Sequence, residues 1–194
     1  MARKSIDLKV VTPPEWVNVI VENFDEFLRD HANCERKASA LAMSLVVKYA
    51  DRELIVPDLI SLAQEELEHF RQCYVLMRQR GLTLVKDIQD PYVNQLLGEL
   101  RDGREDRFLD RMLISSVIEC RGSERFKLIS DALAEPELKS FYHDLWAAEA
   151  KHGHQFVQLV LRYVPADLVY DRLHDLMSRE AEIIQRLEWR PSLH

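Results

Sequence analysis

The sequence predicts an all-α fold, a four-helix bundle with additional flanking helices, and three observations lead to that expectation. Hydrophobic residues make up 47% of the 194 residues and charged residues 30%, so the chain can bury a core and disorder is not expected. Only five glycines and seven prolines interrupt it, which favours long helices over a β fold with many turns. Apolar residues recur at three- and four-residue steps, as on one face of a helix. The length fits a single domain over residues 1–194.

The first half of the chain is expected to hold one short helix and two long ones. Pro57 marks the start of the second long helix, because proline is favoured in the first helical turn. Gly81 marks its end, because glycine accepts the left-handed conformation that closes many helices. The three expected helices cover about 15–22, 24–50 and 57–80.

The second half is expected to hold two more long helices and a last shorter one. Residues 82–103 form a connection, with a turn at Asp90-Pro91 and a short amphipathic segment after it. The helices that follow cover about 105–133, 136–164 and 166–187. The last helix carries no candidate metal ligand on its apolar stripe, so we expect it to pack outside the bundle or against a partner.

An internal repeat relates the two halves. In each half a helix carries a lone glutamate, and the next long helix carries a Glu-x-x-His pair. The lone glutamates are followed by similar residues, Glu35-Arg-Lys-Ala-Ser and Glu119-Cys-Arg-Gly-Ser. The separation from lone to paired glutamate is 31 residues in the first half (35 to 66) and 30 in the second (119 to 149). Two related helical hairpins with pseudo-twofold symmetry would explain this pattern.

Six residues of this repeat are candidate metal ligands. All lie on the apolar stripes of their helices: Glu35, Glu66, His69, Glu119, Glu149 and His152. A single Glu-x-x-His pair shares one helix face and indicates no more than a surface ion pair. Two lone glutamates plus two such pairs are the ligand set of di-iron and di-manganese sites in four-helix bundles. Four carboxylates in a core need positive charge, which two divalent metals supply, and carboxylate with imidazole suits iron or manganese.

Composition also restricts where the protein acts and what it binds. We find no signal peptide pattern and no membrane-spanning stretch, so we expect a cytoplasmic protein with no membrane contact. The odd set Cys34, Cys73 and Cys120 indicates free thiols in a reducing compartment. A net charge of -7 argues against a strongly basic nucleic-acid-binding domain, although it leaves room for a local basic face.

The sequence around the six residues resembles that of a known family. The informative stretches are residues 30–38, 65–70, 118–126 and 149–152, in particular His-Ala-Asn before Cys34-Glu35 and Arg-Gly-Ser-Glu-Arg-Phe after Glu119-Cys120. Over about residues 30–160 the chain resembles the ferritin-like superfamily and, within it, the MiaE family of tRNA hydroxylases. The resemblance implies a ferritin-like four-helix bundle and a non-haem di-iron monooxygenase. Its substrate would be the isopentenyl group of 2-methylthio-N6-isopentenyladenosine in the tRNA anticodon loop.

The resemblance also implies roles for the six residues and a set of partners. His69 and His152 would hold one iron each, Glu35 and Glu119 would be terminal ligands, and Glu66 and Glu149 would bridge or flank the two iron ions. O2 would be the co-substrate, and a separate reductase would be the external electron donor. The candidate tRNA contacts are Arg101, Arg104, Arg107 and Arg111, with Lys86 nearby and with Tyr92 or Trp146 as an aromatic that stacks on a base.

Three other functions share some of these features. A ferritin-like ferroxidase or iron-binding protein would use the same metal site within a large oligomer. A peroxide-scavenging protein is a further alternative, although the chain lacks the Cys-x-x-Cys pairs typical of rubrerythrins. A helical interaction module without metal would stay folded and would take up no metal. The resemblance favours the hydroxylase over all three.

Overall fold

The computed structural model describes residues 6–194, and within that range it contains α-helices and no strands. Seven helices follow one another: α1 (Trp16–Glu22), α2 (Phe24–Lys48), α3 (Val56–Gln79), α4 (Pro91–Leu97), α5 (Arg104–Ala132), α6 (Pro136–Val160) and α7 (Ala166–Ile184). The all-α class predicted from the sequence is therefore confirmed, and the helix ends lie within a few residues of the predicted ones. None of the helices in this range has the length and apolar character needed to cross a membrane.

The described residues fall into two compact units. The α2–α3 unit comprises residues 17–88 and 189–193, and helices α2 and α3 pack against each other in it. The α5–α6 unit comprises residues 6–16, 89–188 and 194, where α6 and α7 pack on α5, and α4 contacts both α5 and α7. Each unit thus contains one of the two helical pairs that the internal repeat predicts.

In the α2–α3 unit, the ends of the long helices follow from local chemistry. The first turn of α2 carries Asp25 and Glu26 and its last turn carries Lys48, so the charges oppose the helix dipole at both ends. Helix α3 has proline in its first turn, as predicted. It closes at Gly81, whose φ of 71° lets the Leu82 N–H reach back to the Met77 carbonyl oxygen at 2.8 Å.

In the α5–α6 unit, helices α5 and α6 approach closely at Gly153. A Cβ atom at that position would lie 2.7 Å from Cys120 Sγ and 3.3 Å from the Ser116 carbonyl oxygen. Ser116 Oγ donates a hydrogen bond to the Gly153 carbonyl oxygen at 2.7 Å. Burial raises the pKa of the Cys120 thiol to about 12, so this sulfur stays protonated and serves packing, as the sequence indicated. The contact fixes the register of α6 on α5 one residue after His152.

Helix α7 packs against α5 through a buried ion pair. Arg121 Nη2 lies 2.7 Å from Glu180 Oε1, and both side chains are 0% exposed. Arg121 also donates to the Val10 carbonyl oxygen at 2.8 Å and to Thr12 Oγ1 at 3.1 Å, so it ties the N-terminal segment to the same point. Helix α7 thus packs on α5 within the α5–α6 unit; the sequence predicted that it would pack outside the bundle or against a partner.

Candidate metal centre

The α2–α3 unit brings together three of the six predicted residues. Glu35 lies on α2, and Glu66 and His69 lie one turn apart on the facing side of α3. One ligand atom from each of the three lies within 4.8 Å of the others. We call these three residues the first triad.

The first triad is buried and its donor atoms converge. Glu35 is 3% exposed and Glu66 is 1% exposed. His69 Nδ1 lies 3.6 Å from Glu35 Oε2 and 3.5 Å from Glu66 Oε2, which is longer than an ordinary hydrogen bond of this kind. The two carboxylates and the imidazole therefore face a common point that a cation of suitable size would reach from all three.

His31, to which the sequence analysis gave no role, contacts the first triad. It is fully buried, and its Nε2 lies 2.7 Å from Glu35 Oε1. Its ring stacks on Phe27, with 5.8 Å between the centroids and 19° between the planes. The sequence signal was available, since His31 and Glu35 are four residues apart on one helix face.

The α5–α6 unit brings together the other three predicted residues. Glu119 lies on α5, Glu149 and His152 lie one turn apart on α6, and their ligand atoms lie within 4.8 Å of one another. Glu149 is 2% exposed and His152 is 1% exposed, whereas Glu119 is half-buried. His152 Nδ1 lies 3.0 Å from Glu149 Oε2. We call these residues the second triad.

Serines one turn after the lone glutamates fix the helix pairs in register. Ser39 Oγ donates to the Ala63 carbonyl oxygen at 2.8 Å, from α2 to α3. Ser123 Oγ donates to the Trp146 carbonyl oxygen at 3.1 Å, from α5 to α6. Each acceptor lies three residues before the glutamate of the Glu-x-x-His pair. These serines bond to the facing helix, although bonding back to their own helix was an equally good expectation from sequence.

The chemistry of each triad fits a divalent transition metal. Two carboxylates and one neutral imidazole supply three ligands and two negative charges in a buried place, where uncompensated charge is costly. Carboxylate oxygen and imidazole nitrogen suit iron and manganese, and neither triad contains a thiolate. The donor set therefore agrees with the metal type expected from the sequence.

The four arginines expected to contact tRNA lie at the start of α5 and in the turn before it. Arg101 binds buried Asp110 at 2.8 Å and Asp106 at 3.0 Å, and Arg107 binds Asp102 at 3.1 Å. Arg104 is exposed and Arg111 is half-buried. From Arg104 to Glu119 the helix rises 15 residues, ~22 Å at 1.5 Å per residue. The positive charge of this cluster is thus shared with neighbouring carboxylates, most fully at Arg101.

The two aromatic candidates for base stacking differ sharply. Tyr92 is 0% exposed and its hydroxyl donates to Glu180 Oε1 at 3.3 Å, so a stacking role for Tyr92 is wrong. Trp146 is partly exposed, with Lys127 Nζ 5.1 Å from its ring centroid and His143 edge-on at 5.2 Å. Sequence alone did not separate these residues, because both follow helical periodicity.

Comparisons with known proteins identify the family of this chain. Residues 1–194 match the family described as tRNA-(MS[2]IO[6]A)-hydroxylase (MiaE). A tRNA 2-(methylsulfanyl)-N(6)-isopentenyladenosine(37) hydroxylase from Pseudomonas putida is 32% identical over 174 residues, covering 90% of this chain and 84% of the relative. A protein of the same description from Salmonella typhimurium is 25% identical, covering 89% and 82%.

A solved structure extends the likeness to three dimensions. It is described as protein 43 with aldehyde deformylating oxygenase activity from Synechococcus, and it superposes with a TM-score of 0.91 at 33% sequence identity. The superposition covers 96% of this chain and 94% of the Synechococcus chain. This likeness confirms the ferritin-like fold class predicted from the sequence.

Proposed function

The chain belongs to the MiaE family of tRNA hydroxylases, and on that premise we propose that it hydroxylates the isopentenyl group of 2-methylthio-N6-isopentenyladenosine in tRNA. The observation that carries the proposal is the pair of buried Glu/Glu/His triads in a chain that matches the family from residue 1 to residue 194. A tRNA substrate agrees with a cytoplasmic location. We propose that residues 1–194 work as a single ferritin-like di-iron domain.

The cofactor in this proposal is a pair of non-haem iron ions, one for each triad. Glu35, Glu66 and His69 would hold one ion, and Glu119, Glu149 and His152 would hold the other. Bound iron supplies the activation of O2, with electrons from a separate reductase. Support for these roles comes from the donor chemistry, which suits iron, and from the burial of Glu35, Glu66 and Glu149.

The protein's own contribution is to hold the ligands and to keep water out. Four of the six ligands are no more than 3% exposed, so bulk water does not reach them. The serine hydrogen bonds between facing helices keep the lone glutamate level with the Glu-x-x-His pair in each unit. Such fixed geometry spares the site the cost of reorganising when charge changes on the metal ions.

Contact with tRNA is proposed for the arginine cluster at the start of α5, within a protein whose net charge is -7. Arg104 and Arg107 are the exposed members, and Arg101 is held by Asp110. Arg104→Glu should weaken tRNA binding and flatten its salt dependence, because one phosphate contact is lost. Arg71→Glu, at an exposed arginine on α3, is the matched control with the same change of charge. Equal affinity losses in both variants would contradict a specific role for Arg104.

The test of the proposed function is a reconstituted reaction. Purified protein is loaded with ferrous iron and given a chemical reductant, O2 and tRNA that carries the isopentenyl-modified adenosine. Mass spectrometry of the nucleosides should show a gain of one oxygen. Glu66→Ala should abolish that gain and reduce the iron content, whereas Glu68→Ala, which removes an exposed carboxylate from the same helix, should not.

Two results would contradict the proposal. No oxygen gain with two irons per chain confirmed would leave the metal centre in place and move the function toward ferroxidase or peroxide chemistry. Full iron content and full turnover in Glu66→Ala would overturn the ligand assignment.

A second candidate function comes from the Synechococcus protein, whose description names an aldehyde deformylating oxygenase activity. The same iron-loaded preparation can be given an aldehyde in place of tRNA. Release of formate that depends on Glu66, without any oxygen gain on tRNA, would favour this function over the tRNA hydroxylase.

A further inference from the structure

A buried histidine contacts a metal ligand in the first triad without belonging to the predicted ligand set. His31 is 0% exposed and lies one turn before Glu35 on α2. Its Nε2 approaches Glu35 Oε1 to 2.7 Å, which is the length of a strong hydrogen bond to a charged acceptor. An ionised carboxylate only accepts hydrogen bonds, so the facing Nε2 carries the hydrogen.

The surroundings of His31 hold its ring in that orientation. The ring stacks on Phe27, and Cys73 Sγ on α3 lies 3.5 Å from Nδ1 and 3.6 Å from Nε2. A thiol is a weak donor, so Cys73 can serve Nδ1 while Nε2 faces Glu35. Contacts from its own helix and from the neighbouring helix thus direct one ring nitrogen at Glu35.

The two carboxylate oxygens of Glu35 have different partners. Oε1 accepts from His31, and Oε2 lies 3.6 Å from His69 Nδ1 on the side where the first triad converges. With one oxygen fixed, the carboxylate cannot rotate freely, and the other oxygen stays directed at the metal position. Partners of this kind orient metal ligands, and their loss typically weakens metal affinity about 10- to 100-fold.

The second triad has no counterpart at the same position. Four residues before Glu119 stands Ser115, whose hydroxyl donates to the Arg111 carbonyl oxygen at 2.9 Å. The internal repeat therefore preserves the three triad residues and the register serines but not this imidazole. His31 distinguishes the two halves of a centre that is otherwise built twice from the same residue types.

We infer that His31 is a positioning residue that orients Glu35 for metal binding and makes the two metal positions inequivalent. This inference rests on the proposed metal centre. It assigns His31 no direct bond to metal, because the nitrogen that a metal would need on the Glu35 side is the one that donates to Oε1.

The test is an anaerobic titration with cobalt(II), followed by its visible absorption and by elemental analysis. His31→Leu should weaken one of the two cobalt sites about 10- to 100-fold and leave the other unchanged. His31→Gln, whose amide nitrogen reaches a position close to that of Nε2, should restore affinity to within a few-fold of wild type. Ser115→Ala is the matched control from the other half and should titrate like wild type.

A second polar variant distinguishes weaker metal binding from a folding defect. His31→Asn keeps an amide but is too short to reach Glu35, so it should bind cobalt as weakly as His31→Leu. Thermal unfolding of the metal-free proteins shows whether each variant folds, and a fall in metal-free stability with unchanged cobalt affinity would overturn the inference.

Three outcomes of the titration decide between the metal centre and the role of His31. Wild-type affinity in both His31→Leu and His31→Asn would overturn the positioning role and leave the metal centre standing. His31→Gln as weak as His31→Leu would overturn it too, because the imidazole itself would then be a ligand. A wild-type protein that binds no cobalt and no iron would overturn the metal centre and the inference together.

Discussion

The ion pair between Arg121 and Glu180 makes a sharp test of how the α5–α6 unit is held together. Both side chains are fully buried, and Glu180 Oε1 accepts from Arg121 Nη2 at 2.7 Å and from Nε at 2.8 Å. Arg121→Met keeps much of the side-chain volume. It leaves the Glu180 carboxylate in the core with the Tyr92 hydroxyl, 3.3 Å away, as its hydrogen-bond donor. The change also frees the N-terminal segment from the Val10 contact.

The expected magnitude follows from the burial of both partners. Removing one member of a buried pair costs about 3–5 kcal/mol, because the other charge stays in the core without compensation. At about 2–4 °C per kcal/mol for a chain of this size, the unfolding temperature should fall by roughly 6–20 °C. The double variant Arg121→Met with Glu180→Leu should recover most of that loss, since two apolar side chains can fill the same volume.

The pH dependence provides an independent check. Burial raises the pKa of Glu180, and Arg121 opposes that rise. Without Arg121 the pKa rises further, and a folded state that holds a proton more tightly than the unfolded chain gains stability as the pH falls. The stability deficit of Arg121→Met should therefore be smaller at pH 5 than at pH 8.

Urea unfolding followed by circular dichroism measures the wild-type protein, the single variants Arg121→Met and Glu180→Leu, and the double variant at both pH values. A loss below about 1 kcal/mol in Arg121→Met, the range of an exposed pair, would refute the reasoning. So would a double variant that is less stable than either single one, because the cost would then come from packing and not from an uncompensated charge.

Three further predictions concern the same unit. Gly153→Ala places a Cβ 2.7 Å from Cys120 Sγ, so overpacking should lower the free energy of unfolding by about 1–3 kcal/mol. Adding Cys120→Ala to that variant should recover part of the loss in urea unfolding, and no recovery would contradict the contact. Burial alone would raise the pKa of Asp90, but hydrogen bonds from His194 and from the start of α4 lower it to about 2. The stabilisation from Asp90 is therefore present above the ordinary carboxyl pKa of about 4 and is lost as the pH falls toward 2. Asp90→Asn keeps a capping side chain, so its unfolding temperature should depend less on pH in the acid range than that of the wild type. Asp110→Ala should cost about 1–3 kcal/mol, because it leaves two arginines without their buried acceptor; a change within experimental error would show that the arginines find water instead.

The helices and the two triads were predictable because they depend on local spacing. Helix boundaries follow apolar periodicity and the placement of proline and glycine, which any single sequence displays. A Glu-x-x-His pair must share a helix face, so its geometry is fixed once the helix is known. The grouping of Glu35 with Glu66 and His69 needed one further step, the internal repeat, which paired each lone glutamate with the next long helix.

The buried ion pair and the state of the arginines were not predictable in the same way. Arg121 and Glu180 are 59 residues apart, and no helix period relates them. On a helical wheel Glu180 looks like one more polar residue of an amphipathic helix, and its burial depends on how α7 lies on α5. Arg101 was predicted to contact phosphate because the sequence does not show its acidic partner. That partner, Asp110, is nine residues away, across the start of α5.

The register serines show how a repeat can carry geometry beyond the ligands themselves. In each unit the serine lies one turn after the lone glutamate, and its acceptor lies three residues before the paired glutamate. The hydrogen bond therefore fixes the height of one helix against the other where the two carboxylates must meet. Both units therefore set the helix register beside the triad with the same hydrogen bond. His31 in the first unit and Ser115 in the second stand at the same place relative to the lone glutamate and carry different chemistry. A centre built from a duplicated hairpin can become asymmetric through that single position.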